Sequence, residues 1–418
     1  MKRPFQRLDS RAWQNLLLVA LCGFYGALIL YEIVKGNTFA SLGADHLAFW
    51  GAGFIARTAG FENAYDLTQL RRVQAPYIPP PPDPSWVFVP LPAAVLPVFL
   101  LPFEILSLLS PPVSLAIWTL LNGLGLFFYL RCWVWEANPE APAGRTAALL
   151  MASFPVFTTL FWGQVNALLA IFVGEFLRAM RSGKPLRAGL WLGGLWLKPQ
   201  TFLLIVPALL LQRQGWALLG FGAMSLLLLG LSLLIAGPQA MLRLLSLWLA
   251  FAEGIPTNIP ENMVNWRMLG LRLGEFLPPA WAWGIAGTGL TLTALAALWL
   301  WRRPVAPSTQ EFTVALLGTL AATGVIAWHS HLHQMLLLLP VLTFLIARRD
   351  APPGAFVSLL LLSPFAMLGD ALIVLMIRAG ILPPLVRPDG LVTSLAGLGL
   401  NLWFLGWALQ RLRREGRG

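Results

Sequence analysis

Long apolar runs recur along this chain from Trp13 to Leu409, and they constrain its fold more than any other feature. In lipid such a run can satisfy its backbone hydrogen bonds as a helix, whereas a membrane barrel would show alternating polarity. Charged residues make up only 11% of the 418 residues and hydrophobic residues 57%, with a mean hydropathy of +0.71. These values exclude a soluble or a disordered protein. We predict an all-α polytopic membrane protein of about 10–13 transmembrane helices.

Basic residues are concentrated in short clusters between the apolar runs, and the net charge is +11. Retention of positive charge on the cytoplasmic side explains this pattern, so we expect no nucleic-acid partner. Four basic residues precede the first run, 13–33, which is too long for a signal peptide and predicts an uncleaved helix with a cytoplasmic N-terminus. The placement of Cys22 and Cys132 predicts no disulfide.

Charge counting predicts one membrane domain, 1–418, with both termini cytoplasmic and two large extracytoplasmic loops, 36–112 and 237–279. The basic cluster of 178–187 lies on the cytoplasmic side only if segment 87–109 does not cross the membrane, so we predict that this segment is re-entrant or interfacial. Its four prolines also disfavour a straight helix. The expected spans are 13–33, 113–131, 146–161, 165–178, 188–197, 200–212, 215–236, 280–301, 311–328, 333–346, 354–376 and 391–410.

The first extracytoplasmic loop should contain a helix over 45–59 that lies at the membrane interface. Asp45, at its start, has two interpretations: an N-cap that satisfies free N–H groups, or a general base or ligand that faces a cavity. Asp66, in the segment AYDLTQL, is interpreted as an N-cap.

Polar residues also interrupt the middle of the chain. Gln164 and Asn166 could cap two short helices, bond between helices, or bind the hydroxyls of a sugar. Lys198 is an isolated cation between two apolar segments, followed by the helix-breaking Pro199. It could snorkel to the interface, but we favour contact with an anionic phosphate, since an ionisable group at that depth suggests a functional site.

The second loop and the segment that follows 311–328 supply the remaining candidates. The candidates of the second loop either belong to a solvated loop or contact a ligand: Asn262, Asn265, Trp266 and Arg267. For His329, His331 and His333 we favour a catalytic or substrate-binding role, with structural hydrogen bonding as the alternative. A metal site is disfavoured, because the chain has a serine where the zinc-peptidase pattern requires a glutamate. We therefore predict no metal and no cofactor.

Six short motifs occur in a characteristic order: DHLAFWGAG at 45–53, AYD at 64–66, WGQVN at 162–166, LKPQ at 197–200, ENMVNWRML at 261–269 and HSHLHQMLLLLP at 329–340. With these motifs the chain, over roughly residues 10–345, resembles glycosyltransferase family 87. This family belongs to the integral-membrane GT-C group, and its best-known members are polyprenyl-phosphate-mannose-dependent mannosyltransferases.

The resemblance implies a GT-C-type bundle in the cell membrane that transfers a sugar, mannose or another hexose, with inversion at the extracytoplasmic face. The donor would be a polyprenyl-phosphate sugar and the acceptor a glycolipid or glycan. The family pattern matches Asp45 to the general base, His331 or His333 to a catalytic histidine, and Lys198 and Arg267 to the donor phosphate. We expect the following residues to bind the sugar or the acceptor: Trp50, Gln164, Asn166, Asn265 and His329.

Two other classes of function remain open from the sequence. A transporter or lipid flippase would favour inverted repeats and ionisable residues in mid-membrane, whereas the polar residues of this chain gather at outer junctions. A non-catalytic assembly protein would tolerate the loss of any one candidate residue.

Overall fold

The computed structural model describes residues 11–79, 88–253, 260–383, 385 and 388–415. Within these ranges the chain is built of α-helices joined by turns and short 3-10 segments, which confirms the all-α class. The α-helices are α1 (Arg11–Val34), α2 (Ala44–Ala59), α3 (Leu67–Gln74), α4 (Leu101–Leu106), α5 (Pro111–Ala137), α6 (Ala143–Met151), α7 (Phe154–Trp162), α8 (Asn166–Arg181), α9 (Pro185–Gly193), α10 (Ile205–Leu211), α11 (Gly215–Glu253), α12 (Trp266–Gly274), α13 (Pro279–Trp299), α14 (Gln310–Ile326), α15 (Leu339–Ala347), α16 (Ala355–Arg378) and α17 (Leu391–Glu415).

Six helices in the described ranges are long and apolar enough to cross a membrane: α1, α5, α11, α13, α16 and α17. Helices α6 and α7 together make a seventh candidate span, bent by 60° at the break between them. Other expected spans are shorter apolar helices, at 199–211, 310–326 and 332–347. The protein is therefore a multi-pass membrane protein in which long outer helices accompany short, broken ones.

The long helix α11 differs from the sequence-based boundary. We expected a span to end at 236, but the chain resumes a helix after one non-helical residue and continues to Glu253. Gly237 has φ +73°, a conformation that costs glycine little, and Pro238 then occupies the first turn of the second half, where a missing N–H does no harm. The break is thus a kink, and only the later part of 237–279 departs from α11.

The segment preceding α5 contains no long helix in its described part, residues 88–109. A 3-10 turn, Pro97–Leu100, runs into the six-residue α4, and residues 88–96 before it form no helix. This agrees with the expectation that dense prolines prevent a straight spanning helix. Helix α4 packs directly on α2, where a Cβ added at Gly53 would lie 2.4 Å from the backbone carbon of Phe103.

The helix expected over 45–59 is confirmed as α2, and it is largely buried. The capping role expected for Asp66 is also confirmed, because its carboxylate accepts from the backbone N–H groups of Thr68 and Gln69 at the start of α3. Asp45 is not an N-cap. The capping position of α2 is Gly43, and Asp45 lies in the first turn, where its side chain bonds to Gln164 in the turn between α7 and α8.

Candidate functional site

The end of α7 is tied to the start of α2 by a backbone hydrogen bond and to α5 by a side-chain hydrogen bond. Gly43 N–H donates to Phe161 O at 2.8 Å, and Trp118 Nε1 of α5 donates to Gly163 O at 3.1 Å. Gly163 ends α7 with φ +70°, and a Cβ there would meet His46 Cβ at 2.5 Å, so the close approach of the two elements requires glycine. These contacts bring Gln164, the next residue, beside the first turn of α2.

Gln164 links Asp45 to Lys198. Its Nε2 donates to Asp45 Oδ2 at 2.6 Å, and its Oε1 accepts from Lys198 Nζ at 2.6 Å. An ammonium group can only donate, so the amide oxygen must face Lys198 and the amide nitrogen must face Asp45. Three residues from α2, from the α7–α8 turn and from a helix break therefore form one hydrogen-bonded group.

Lys198 reaches this group because the helix is interrupted around it. It lies between two 3-10 segments, Gly194–Leu197 and Pro199–Phe202, with φ −144° and ψ 86°. Pro199 lacks the N–H that would continue the hydrogen bonding of the preceding turn, and the carbonyl of Lys198 accepts from Thr201 N–H at 3.0 Å and from Thr201 Oγ1 at 2.7 Å. The sequence interpretation of Pro199 as a break is confirmed, and the break directs the ammonium to Gln164.

Burial perturbs both charged groups in opposite directions. Burial raises the pKa of the Asp45 carboxyl, while the Gln164 hydrogen bond and the charge of Lys198 partly offset this. Burial lowers the pKa of Lys198 to about 8, against the opposing effect of Asp45. A carboxylate with a raised pKa is a better proton acceptor, and an ammonium with this pKa still carries its charge at neutral pH for most of the time.

Asp45, Gln164 and Lys198 line a cavity of about 1210 Å³. The three histidines expected at the site line the same cavity, and they come from the segment between α14 and α15: His329, His331 and His333. Their rings are neighbours, with centroids 5.0 Å apart for the first pair and 5.6 Å for the second. The structure thus brings together six of the ten candidate site residues.

The histidine rings are held as neutral imidazoles. Burial lowers the pKa of His331 to about 4 and also lowers the pKa of His329, and the charge of Lys198 acts in the same direction. His331 Nδ1 lies 3.3 Å from the backbone carbonyl oxygen of Asn262. Because a carbonyl only accepts, Nδ1 carries the proton and Nε2 is left with a free lone pair.

Four expected site residues lie outside the cavity wall. Trp50 donates its Nε1 to Leu109 O at 3.0 Å and packs in a small apolar cluster with Phe39 and Leu47, because its position on α2 faces away from Asp45. Asn166 is fully enclosed in the first turn of α8, and neither of its amide atoms has a hydrogen-bond partner among the described residues. These placements argue against direct sugar contact by Trp50.

The other two candidates come from the second loop. Asn265 is the N-cap of α12, where Oδ1 accepts from Met268 N–H at 2.9 Å and Nδ2 donates to Ala327 O at 2.8 Å. Both amide atoms of Asn265 therefore bond to the backbone of the protein. Arg267 is mostly buried and stacks on Trp328, with its guanidinium carbon 4.8 Å from the ring centroid. It supports a cavity-lining aromatic without itself lining the cavity.

Two further residues of the cavity wall matter for the site: Asn262, one of the polar candidates of the second loop, and Asp370, which the sequence did not single out. Asn262 lines the cavity three positions before Asn265, and the sequence offered no way to tell the two amides apart. Asp370 also lines the cavity, from α16. It is the only charged residue of the expected span 354–376, and an acid in such a span is a signal that could have identified it.

Comparison with known protein families gives a match over the middle of the chain. Residues 97–327 match the family model for glycosyltransferase family 87. The match covers more than half of the chain, so the protein belongs to glycosyltransferase family 87 and is a membrane glycosyltransferase. No curated protein and no solved structure matched it. Gln164 and Lys198 lie inside the matched region, whereas Asp45 precedes it and the histidines follow it.

Proposed function

We propose that this enzyme transfers a sugar, mannose or another hexose, from a polyprenyl-phosphate donor to a glycolipid or glycan acceptor at the extracytoplasmic face, with inversion. One observation carries the proposal: a carboxylate and an ammonium are joined by the Gln164 amide in the wall of one large cavity. Transfer of this kind requires a base for the acceptor and a cation for the leaving group.

Asp45 is the proposed general base. It would accept the proton of the acceptor hydroxyl as the hydroxyl oxygen forms its bond to the anomeric carbon. The raised pKa of this carboxyl brings it closer to the pH at which the enzyme works, which favours proton transfer. Gln164 holds the carboxylate in a defined orientation, so little reorganisation is needed when the acceptor arrives.

Lys198 is the proposed partner of the donor phosphate. The bond between the anomeric carbon and the phosphate oxygen breaks with its electron pair on that oxygen, and a fixed cation stabilises the developing charge. An acceptor that attacks from the side opposite the phosphate inverts the anomeric carbon without a covalent intermediate. A histidine, His331 or His333, would take part in catalysis as a neutral imidazole, whereas Arg267 would act through Trp328.

The remaining cavity wall suits a lipid-linked donor. Much of it is apolar and aromatic, which favours an isoprenoid chain over a water-soluble nucleotide sugar. This apolar part is contributed by the following residues: Leu28, Leu91, Ala93, Val95, Phe154, Phe157, Phe161, Met367 and Val374. Leu91, Ala93 and Val95 come from the proline-containing segment that precedes α4.

Transfer from a panel of radiolabelled polyprenyl-phosphate sugars tests the proposal, with purified protein in lipid nanodiscs and host lipids as acceptors. We expect wild type to label a lipid or glycan product and Asp45→Asn to label none. Asp66→Asn is the matched control, because asparagine caps a helix as well as aspartate does and the residue lies outside the cavity wall. It should retain wild-type transfer.

Three results would each contradict one part of the proposal: the base, the donor or the transferase activity itself. Transfer by Asp45→Asn at the wild-type rate would exclude Asp45 as the base. Transfer from a nucleotide sugar alone would exclude the lipid-linked donor. Movement of the labelled lipid across vesicles, without any transfer and unaffected by Asp45→Asn, would favour a transporter.

A further inference from the structure

Asp370 is an acid in the middle of a candidate membrane span that the proposed chemistry does not use. It lies on α16, its side chain is mostly buried, and it lines the same cavity as Asp45. An ionisable group in such a helix is costly and is usually retained for a function. Its contacts indicate what that function is.

The Asp370 carboxylate caps the neighbouring helix α17. One oxygen accepts from Val392 N–H at 2.6 Å, and the other accepts from Thr393 N–H at 3.2 Å and Thr393 Oγ1 at 2.5 Å. Helix α17 begins at Leu391, so these are first-turn N–H groups without partners inside the helix. The residue before it is Gly390, which has no side chain to cap with, and Asp370 supplies the missing acceptor from α16.

The capped turn is in contact with the histidine side of the site. Gly390 lies against the side chain of Asn262, so closely that an added Cβ would be 2.6 Å from Cγ and Oδ1. The backbone carbonyl of Asn262 in turn accepts from His331 Nδ1. A continuous path of contacts therefore runs from Asp370 through α17 and Asn262 to His331.

We propose that Asp370 is a positioning residue of this transferase: by capping α17 it holds Gly390 against Asn262 and so keeps His331 in its Nδ1–H tautomer, with Nε2 free toward the cavity. This inference rests on the proposed function for its catalytic consequence. The tautomer and the position of His331, which the inference also predicts, can be measured without any transfer reaction.

The test compares Asp370→Asn with wild type in nanodiscs. The amide cannot accept on its nitrogen, so one side of the cap is lost. We expect kcat to fall by about tenfold or more with KM little changed, since a small displacement of a reacting group has a large effect on rate. We also expect the ¹⁵N resonances of His331, assigned with His331→Gln, to show a mixture of tautomers.

Asp350→Asn is the matched control for the cap. Asp350 is a second acid that contacts α17, but through Arg411 at the other end of that helix, at 3.4 Å. The Asp350→Asn variant should therefore have the kcat and the His331 resonances of wild type.

Gly390→Ala tests the same path at a second point, in case Asp370→Asn fails to fold. The new methyl group must displace the Asn262 side chain, and we expect the same loss of kcat and the same change at His331. Gly399→Ala is its control on the same helix, because nothing lies within 4 Å of a Cβ added there.

Unchanged His331 resonances in Asp370→Asn and Gly390→Ala would overturn the inference, even if both variants were less stable, since a purely structural cap would lower stability alone. If wild type transfers no sugar, the proposed function fails separately. The tautomer measurement would then still decide the positioning role.

Discussion

Asp45 and Lys198 are connected by one side chain, the amide of Gln164, through two hydrogen bonds of 2.6 Å. The three residues are 34 or more positions apart along the chain, and only the fold brings them together. In this arrangement the amide sets the orientation of the carboxylate and also separates it from the ammonium. Each charge thus remains available to a different part of a substrate.

Gln164→Leu should lower kcat by about tenfold or more, because Asp45 and Lys198 lose the group that orients both of them. Gln164→Glu should instead place a like charge beside Asp45, which raises the pKa of that carboxyl further. The acidic limb of a kcat/KM profile would then move to higher pH. Gln69→Glu, outside the cavity wall, should leave the profile unchanged; an identical shift there would contradict the assignment.

The loss of activity at alkaline pH in the same kcat/KM profile should report the deprotonation of Lys198. With a pKa of about 8 the ammonium is charged below that pH and loses its proton above it, so transfer should decline as the pH rises through 8. Lys198→Arg keeps a charge at all accessible pH values and should remove the decline.

Removal of the Lys198 charge should also affect the acidic limb. The charge of Lys198 lowers the pKa of Asp45, so Lys198→Met should let that pKa rise and move the limb to higher pH, whereas Lys198→Arg should not. Profiles of the three proteins measure both effects. An alkaline decline that persists in Lys198→Arg would assign it to another group.

Gly53→Ala should destabilise the protein by about 1–3 kcal/mol, because the methyl group would overlap the backbone of Phe103 where α2 packs on α4. The displaced α2 carries Asp45, so activity should fall as well. Thermal unfolding in detergent and transfer assays measure the two effects. Gly125→Ala is the control, because no atom lies within 4 Å of a Cβ added there, and it should change neither stability nor activity. Unchanged stability and activity in Gly53→Ala would show that α2 has room to move.

Asn265→Ala should cost about 2 kcal/mol of stability, since it removes the α12 cap and the bond to the Ala327 carbonyl. Asn265→Ser keeps a capping oxygen and should be intermediate. Apparent melting temperatures in detergent measure this series. Full stability of Asn265→Ala together with lost transfer would instead support the ligand contact that the sequence suggested.

Cysteine labelling tests the orientation in the membrane, in a background with Cys22 and Cys132 replaced by serine. Ala40→Cys, exposed at the cavity, should react with an impermeant maleimide in intact cells. Ser182→Cys, exposed beside the basic residues that follow α8, should react only after permeabilisation. The reverse pattern would invert the proposed topology.

The sequence by itself determined the class of fold and most of the candidate chemistry. Apolar runs with so little charge are stable only as membrane helices, and an isolated Lys198 or a cluster of histidines stands out because polar groups are expensive in that setting. The helix over 45–59 and the cap at Asp66 also follow from local rules, which depend on neighbouring residues alone.

Tertiary structure decided which of these residues meet. Asn262 and Asn265 are alike in sequence, but one lines the cavity and the other caps α12, because that helix begins directly after Asn265. Trp50 and Asp45 share α2 but face different neighbours. Such choices depend on how broken helices pack and on contacts between distant positions, as in the cap that Asp370 supplies to α17, and a local pattern does not contain that information.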